Sequence, residues 1–517
     1  MALRNVVAAP RVGRPGPVVT GVALLLVAAT FVPLGYIVST VFSTGVDQAA
    51  ELVFRPRVGE LLGNTAALVA CTVPICVALG VGLAWVVERT DVPGKSWWGP
   101  VFAAPLAVPA FVNSYAWVSV FPTMHGLRAG VVISTMSYFP LVYLPAAATL
   151  RRLDPAVEES ARALGSGPVA VFARIVLPQL RLAVLGGGLL IGLHLLAEYG
   201  AFVMVRFDTF TTAIFEQYQS SFAGPAGSML AGVLVLCCLA LLGAEAGLRG
   251  RARYARIGSG APRAAARIRL GAGTLPVVAV LVAVTAAALG VPLWTIGRWL
   301  RIGGAAVWDV TDIGNALGQT VGLAAVAALL TTLCAFPVAW IAVRSTSAFA
   351  RLVEGANYVT SSLPGIVIAL AMVTVTIRWA PALYQTAGMV IAAYLLLFLP
   401  RALVSVRAGL AQVPVGLEEA SRSLGKSAPA TFFLVTLRLV APAAAAAAAL
   451  VFVAVATELT ATLLLAPNGT RTLAMRFWGL SGELDYAAAA PYALIMIAAA
   501  VPVTYLLFTN SQKAAGI

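Results

Sequence analysis

The sequence predicts an all-α integral membrane protein with twelve transmembrane helices, arranged as two parallel six-helix repeats. Three observations carry this prediction. Of the 517 residues, 60% are hydrophobic and only 10% are charged, whereas soluble domains carry about 25% charged residues. The apolar residues occur in runs of about 20, the length that crosses a bilayer as a helix. The third observation is an internal repeat, in which a charged motif recurs 260 residues further along the chain.

The predicted spans follow one another with mostly short polar connections. In chain order they are residues 18–42, 62–87, 98–120, 129–150, 182–204, 228–248, 273–297, 317–343, 356–377, 384–404, 439–466 and 487–509. The first run follows a basic N-terminal stretch, but it is too long for the apolar region of a typical signal peptide. We therefore expect it to be retained as the first span.

The net charge of +14 is distributed unevenly between the two sides of the predicted membrane. If the N-terminus is cytoplasmic, the cytoplasmic segments, together with Arg401 at the cytoplasmic end of the span 384–404, hold 25 of the 34 Lys and Arg residues. Such a bias is typical of helical membrane proteins. It predicts that both termini are cytoplasmic. It also attributes the basic composition to the orientation of the chain in a lipid bilayer, so no nucleic-acid partner is expected.

The repeat divides the chain into two halves. We predict a first half at residues 1–248, a basic cytoplasmic linker with seven arginines at 249–270, and a second half at 271–517. The stretch "EESARALG" at 158–165 aligns with "EEASRSLG" at 418–425. Because each half has an even number of spans, both halves have the same orientation, as parallel repeats do.

Earlier in each half the offset is 255 residues. There "NTAAL" aligns with "QTVGL" at 319–323, and Trp85 aligns with Trp340. The two halves therefore have the same order of spans and loops.

The repeated charged stretch predicts a short cytoplasmic helix–turn–helix in each half. We name residues 154–178 the first signature loop and residues 414–438 the second signature loop. In the first, Asp154 is a suitable N-cap, Pro155 fits the first helical position, and Gly165 can end the helix in the left-handed conformation. One Arg or Asp at mid-membrane costs about 2.5–3.5 kcal/mol, so these loops are expected outside the lipid.

The second signature loop contains "ASRSLGKS" at 420–427, which matches a loose ATP-binding pattern. A phosphate-binding loop follows a strand and precedes a helix, whereas here the residues before the glycine are predicted to be helical. The repeat places Ser166 opposite Lys426, so one copy lacks the cation. We interpret the match as a helix end, and we expect the chain itself to be neither an ATPase nor another enzyme.

The two loops resemble the signature of ABC importer permeases, which is E-A-A, three residues, Gly, nine residues, then I-x-L-P. The first copy consists of Glu159-Ser160-Ala161, Gly165 and Ile175-Val176-Leu177-Pro178. The second consists of Glu419-Ala420-Ser421, Gly425 and Val435-Thr436-Leu437, with Arg438 in place of the proline. The stretches 196–218 and 457–478 are similar to fused two-permease proteins of ferric iron importers, and this resemblance covers the chain after its first span.

The resemblance implies a multi-pass permease of the bacterial cell membrane that belongs to a binding-protein-dependent ABC importer for ferric iron. Its partners would be two copies of a cytoplasmic ABC ATPase, which uses ATP and Mg, and one extracytoplasmic substrate-binding protein. This chain would need no cofactor. Each loop would form a coupling helix in a groove of the ATPase. The implied coupling residues are Glu158, Glu159, Ala161, Gly165, Leu177, Pro178, Glu418, Glu419, Ala420, Gly425 and Leu437.

Two carboxylates lie in otherwise apolar runs, at matched positions in the fifth span of each half. Glu198 and Glu458 are expected to face the protein interior or a water-filled path, because an ionised carboxylate facing lipid is costly. They either border a translocation path or brace a kink in the span. The candidate path residues are His194, Glu198, Tyr199, Glu458 and Thr460. No tightly bound metal is expected, since the chain has two histidines and no CxxC pair.

Two alternatives remain open at this stage. The same loop architecture also occurs in permeases for thiamine, polyamines, sulfate and aminoethylphosphonate, so the loops alone do not distinguish among these substrates. A secondary transporter with two six-span halves is a more remote possibility, because it would need no duplicated signature loop.

Overall fold

The computed structural model describes residues 16–221, 224–249, 267–345 and 347–513. These residues form helices and connecting turns, and the β-structure among them is an isolated bridge between Thr90 and Ile268. Most of the predicted linker at 249–270 lies outside the described residues, as do nearly all of the residues before the first helix. The all-helical fold class is confirmed for the described part of the chain.

The described chain forms two compact units, and each combines residues from both predicted halves. The first unit contains the residues up to Ser43 together with Gly314–Thr472. The second contains Thr44–Ile313 together with Leu473–Ile517. The helix that opens the chain thus belongs with residues of the second half, and the sequence repeat and the compact units divide the chain differently.

The first unit is built around long apolar helices. Its α-helices are Pro17–Thr44, most of Val310–Arg344, Ala348–Ser361, Gly365–Trp379, Ala387–Ala411, Val415–Ser423, Ala428–Thr431, Leu437–Ala456 and Thr460–Leu465. A 3-10 turn covers Pro381–Leu383, and a π-helical segment covers Phe432–Thr436. Two of the long helices approach closely at Gly409, where a Cβ would lie 2.4 Å from that of Ala443. Small residues allow such close contact between membrane helices.

The second unit has the same kind of core. Its α-helices are Val46–Val53, Pro56–Arg89, Lys95–Ala103, Ala110–Val120, Gly126–Tyr138, Pro140–Arg152, Pro155–Ala163, Pro168–Val171, Leu177–Gln179, Arg181–Ala197, Gly200–Met204, Phe210–Ser221, Pro225–Arg249, Thr274–Thr285, Val291–Gly303, Leu473–Gly482 and Tyr486–Lys513. The 3-10 segments are Ala104–Ala107, Gly271–Gly273 and Gly304–Val307, and the π-helical segments are Phe172–Val176 and Ala286–Gly290.

Nine helical stretches within the described residues are long and apolar enough to cross a membrane. Three further pairs of helices qualify only if each bent pair is counted as one span, which gives up to 12. The pairs bend by 93° after Ala107, by 67° after Gln179 and by 104° after Ser361. The membrane-spanning architecture is therefore supported, and a count of twelve spans stays a prediction.

Two predicted spans, 98–120 and 356–377, are not continuous helices. The breaks precede Pro109 and Pro364, which are equivalent residues at the offset of 255 and which begin the next helix in extended conformation. A proline lacks the N–H that would continue the helix and disfavours helical conformation in the residue before it. Each of these two predicted spans therefore consists of two helices joined at a bend, at the equivalent place in both halves.

Candidate functional site

Each signature loop begins with the short helix that its sequence predicts. In the first loop the helix covers Pro155–Ala163, and the carboxylate of Asp154 accepts a hydrogen bond from the N–H of Ala156 at 3.0 Å. This N-cap was predicted and is confirmed. In the second loop the helix covers Val415–Ser423 and follows Pro414 without a side-chain cap.

A left-handed glycine ends both helices, as predicted. The φ angles of Gly165 and Gly425 are +86° and +80°. The N–H of Gly165 donates to the carbonyl of Arg162 at 2.9 Å, and the next N–H, of Ser166, donates to Ala161 at 3.0 Å. These two bonds form the Schellman motif, which satisfies carbonyls at a helix C-terminus.

The ATP-binding-like stretch repeats this motif. The N–H of Gly425 donates to Arg422 at 2.9 Å, and the N–H of Lys426 donates to Ser421 at 3.2 Å. The Gly-Lys-Ser sequence therefore forms the end of a helix, and these N–H groups are engaged by the helix itself. The interpretation of this stretch as a helix end is confirmed.

A buried ion pair attaches each loop to a long helix earlier in the chain. This helix is Pro56–Arg89 for the first loop and Val310–Arg344 for the second. The Nη2 atom of Arg89 lies 2.8 Å from Oε1 of Glu158, and the two side chains are 5% and 6% exposed. In the second loop Arg344 pairs with Glu418 at 3.1 Å, and Thr436 donates to the same carboxylate at 3.0 Å. The first glutamate of each "EE" pair is thus a structural anchor of its loop.

The arginine partners were missed from sequence. The offset that aligns Trp85 with Trp340 also aligns Arg89 with Arg344, and this was the available signal. The second glutamates behave differently from the anchors, because Glu159 is half-buried and Glu419 is exposed.

An aromatic contact attaches the second part of each loop to the same long helix. The ring centroids of Trp85 and Phe172 are 5.6 Å apart, and those of Trp340 and Phe432 are 6.1 Å apart, with an interplanar angle of 67° in both. Edge-to-face pairs of this kind contribute about 0.5–1.5 kcal/mol beyond the area that they bury. Each loop is therefore held at two points, by an ion pair and by an aromatic pair.

The loops leave apolar side chains uncovered on their short helices. Leu164 and Leu424 are equivalent residues, and they are 87% and 80% exposed. Val157 and Leu417, which lie two helical turns earlier on the same face, are also exposed. The predicted coupling residues Ala161 and Ala420 lie on the same helices and are half-buried and exposed, respectively.

The exits of the two loops differ at the position where the signature proline is replaced. Both loops pass through a π-helical segment that ends just before Leu177 or Leu437. After Pro178 the chain bends by 67°, whereas with Arg438 it continues as one helical span, Ala428–Ala456. Pro178 removes one backbone N–H next to this bend, which Arg438 does not.

The candidate path glutamates lie at helix breaks. Glu198 follows the helix Arg181–Ala197 directly, so the predicted span 182–204 is interrupted there. Its carboxylate accepts hydrogen bonds from the N–H of Ala201 and the hydroxyl of Tyr138, both at 2.9 Å.

Glu458 repeats the arrangement, since its carboxylate accepts from the N–H of Ala461 at 2.8 Å at the start of the helix Thr460–Leu465. Each glutamate therefore caps the short helix that follows it. The predicted span 439–466 is interrupted after Ala456, and the carboxylate of Glu458 satisfies an N–H at the start of the next helix.

Two of the remaining candidate path residues, His194 and Tyr199, lie close in sequence to the first of these breaks, and the third lies at the second break. The Nδ1 atom of His194 lies 2.7 Å from the carbonyl of Leu190, and its ring contacts that of Tyr138. Tyr199 is buried and packs against Phe215, with ring centroids 4.4 Å apart. In the other half, Thr460 is the first residue of the short helix after Glu458. Among the described residues no group of three or more His, Cys, Asp or Glu side chains could hold a metal ion.

Comparison with known proteins agrees with the duplicated architecture. Residues 76–253 and 333–513 each match the family described as the binding-protein-dependent transport system inner membrane component. The chain is 35% identical over 487 residues to the Fe(3+)-transport system permease protein FbpB 2 of Haemophilus influenzae, covering 94% of this chain and 96% of that protein. It is 25% identical to the sulfate transport system permease protein CysW of Synechocystis sp., over 39% of this chain and 80% of that protein. The chain therefore belongs to the family of binding-protein-dependent transport system inner membrane components and contains the family's domain twice.

Proposed function

We propose that this chain is the membrane-spanning permease of an ABC importer that takes up ferric iron. The family fixes the class of transport system. The substrate is supported by 35% identity across nearly the full length to a permease named for Fe(3+) transport. A sulfate importer is the second candidate, because several sulfate permeases are also similar over parts of the chain.

The coupling of transport to ATP hydrolysis is assigned to the two signature loops. The observation that carries this assignment is the duplication of one geometry. Each loop is anchored by a buried Arg–Glu pair and presents a highly exposed leucine at the end of its first helix. A rigidly held helix with an uncovered apolar side chain suits insertion into a groove of a partner. We infer two copies of a cytoplasmic ABC ATPase as partners, one for each loop.

In this proposal the chain itself is not an enzyme and binds no cofactor. ATP and Mg are used by the partner ATPase. The signature loops and both termini lie in the cytoplasm, in agreement with the bias of Lys and Arg. One extracytoplasmic substrate-binding protein delivers the substrate to the opposite face of the membrane.

The translocation path is assigned to the region of the capped helix breaks. Glu198 and Glu458 set the starts of two short helices, and broken helices are where transport proteins place polar groups within the membrane. The side chains proposed to border the path are His194, Glu198, Tyr199, Glu458 and Thr460. The capping hydrogen bonds support a positioning role for both glutamates.

The substrate can be tested through the binding protein that works with this chain. The tagged chain is purified from its host with its associated ATPase and binding protein, and the metal content of the binding protein is measured by mass spectrometry. The proposal predicts about one iron per binding protein. A binding protein that lacks iron and carries sulfate would favour the second candidate and exclude the first.

A further inference from the structure

The second compact unit contains a cavity of about 320 Å³ to which the proposed transport mechanism assigns no role. Its aromatic wall includes Tyr115, Trp478 and Tyr486, and its polar lining includes His125 and Arg206. Among the described residues that line it there is no Asp or Glu. Apart from its tyrosines, the titratable lining consists of His125 and Arg206, which favours an anionic ligand. The carboxylates of Glu483 and Asp485 flank the lining residue Leu484 in sequence without lining the cavity themselves.

A backbone hydrogen bond joins the two segments that carry the basic residues. The N–H of Gly126 donates to the carbonyl of Val205 at 2.8 Å, and His125 and Arg206 adjoin these two residues in sequence. Both basic residues are exposed, so a ligand can reach them from solvent. Within the described ranges no carboxylate pairs with the guanidinium of Arg206.

The backbone around the cavity is strained. Three non-glycine residues in the described part of the chain have positive φ angles, and two of them, Arg206 at 51° and Leu484 at 63°, line this cavity. Left-handed backbone is unfavourable for a non-glycine residue, and such strain concentrates at ligand sites. The equivalent of Arg206 in the second half is Ala466, so the repeated fold does not itself require a cation here.

The aromatic wall is held in place by contacts within the chain. The hydroxyl of Tyr115 donates to the carbonyl of Tyr486 at 2.8 Å, and their rings pack edge to face with centroids 5.3 Å apart. The ring of Phe477 packs against Tyr115 from another side, at 5.2 Å. A preformed wall lowers the ordering cost that a ligand meets on binding.

From these observations we propose that the cavity binds a carboxylate anion through the guanidinium of Arg206 and the imidazole of His125. A guanidinium presents parallel N–H groups that match two oxygens of such an anion. The anion could be free in solution or could be the outer ligand of a metal complex, and the chemistry recognised is the same in both cases. The inference does not depend on which substrate the chain transports.

The test is a calorimetric titration of the full chain in lipid nanodiscs with citrate and, separately, with ferric citrate. Binding is expected for at least one of them, and Arg206→Gln should weaken it by about tenfold or more, since a charge-assisted bidentate contact is lost. Arg206→Lys keeps the positive charge but loses the planar arrangement of N–H groups. Its affinity should therefore lie between those of the unaltered chain and of Arg206→Gln. The matched control is Arg128→Gln, which removes an exposed cation on the adjacent helix that does not line the cavity.

The outcomes separate the two sources and can overturn the proposal. Similar affinity for citrate and ferric citrate identifies a free anion as the ligand, and at least tenfold tighter binding of ferric citrate identifies the complex. The proposal is overturned if neither binds the unaltered chain, or if Arg206→Gln binds as tightly as Arg128→Gln. Because no partner protein or transport step enters this measurement, its result is distinguishable from a failure of the proposed iron transport.

Discussion

At the residue scale, two buried ion pairs explain how the signature loops keep a fixed position. Removing one partner of a buried pair leaves an uncompensated charge and costs about 3–5 kcal/mol. Glu418→Ala should therefore lower the thermal stability of the purified chain and reduce transport-coupled ATPase activity, because Arg344 is left buried and unpaired. Glu419→Ala, one residue along and exposed, is the control for thermal stability, which it should change little. Equal effects of the two substitutions on thermal stability would show that the ion pair is not the anchor.

The glycines that end the loop helices allow a second test at this scale. A Cβ at Gly165 or Gly425 would meet no atom within 4 Å, so only the backbone conformation opposes a side chain. Valine strongly disfavours positive φ, whereas asparagine tolerates it. Gly165→Val and Gly425→Val should therefore impair ATP-driven uptake, while the Asn variants should retain most of it. If the Val and Asn variants transport equally well, the left-handed caps do not matter for coupling.

The local features of these loops could be predicted, and their long-range partners could not. Asp154, Pro155 and Gly165 act on backbone groups within a few residues, and their chemistry is readable from the sequence alone. The partner of Glu158 lies 69 residues away, and nothing local identifies it. Only comparison of the two halves at their second offset would have singled out Arg89 and Arg344.

At the element scale, the broken helices are the main departure from the predicted spans. The mean hydropathy of a window of about 20 residues does not indicate where within that window a helix bends or ends. Pro109 and Pro364 carried a readable signal, since each lacks a backbone donor. The breaks at Glu198 and Glu458 carried less, because a glutamate within a helix and a glutamate that caps the next helix look alike in sequence.

The capping geometry leads to a prediction for Glu458. If its carboxylate acts by accepting the N–H bond of Ala461, a neutral amide oxygen can replace it. Glu458→Gln should then transport substrate nearly as well as the unaltered chain, and Glu458→Ala should lose about 1 kcal/mol of helix stabilisation and much of its activity. The measurement is the KM and maximal rate of uptake in reconstituted vesicles. A Gln variant as impaired as the Ala variant would show that the negative charge itself is needed, as for direct contact with a cation.

At the scale of the whole molecule, the sequence halves and the compact units are not the same division. A repeat in sequence reports which segments are similar, but it does not report which helices pack together. The helix Pro17–Thr44 is grouped with the unit that contains most of the second half. Within that unit Leu26 and Val27 line a small cavity together with Val353 and Leu399.

The composition of the first unit predicts the effect of removing its opening helix. Deleting residues 1–44 should uncover buried apolar side chains within residues 314–472, because that unit loses one of its helices. Limited proteolysis followed by mass spectrometry should therefore detect new cleavage sites in this range. The helices between Pro56 and Arg249 are the internal control and should keep their resistance. New sites confined to that control region would contradict the assignment of the first helix.

The measurement that tests the central claim most directly is uptake of radioactive ferric iron into vesicles. The vesicles contain the full chain with its ATPase enclosed together with ATP and Mg, and the binding protein is added outside. We predict uptake that requires both ATP and the binding protein and that is lost in the double variant Gly165→Val/Gly425→Val. Iron uptake without ATP, or ATP-dependent uptake of sulfate with none of iron, would contradict the account.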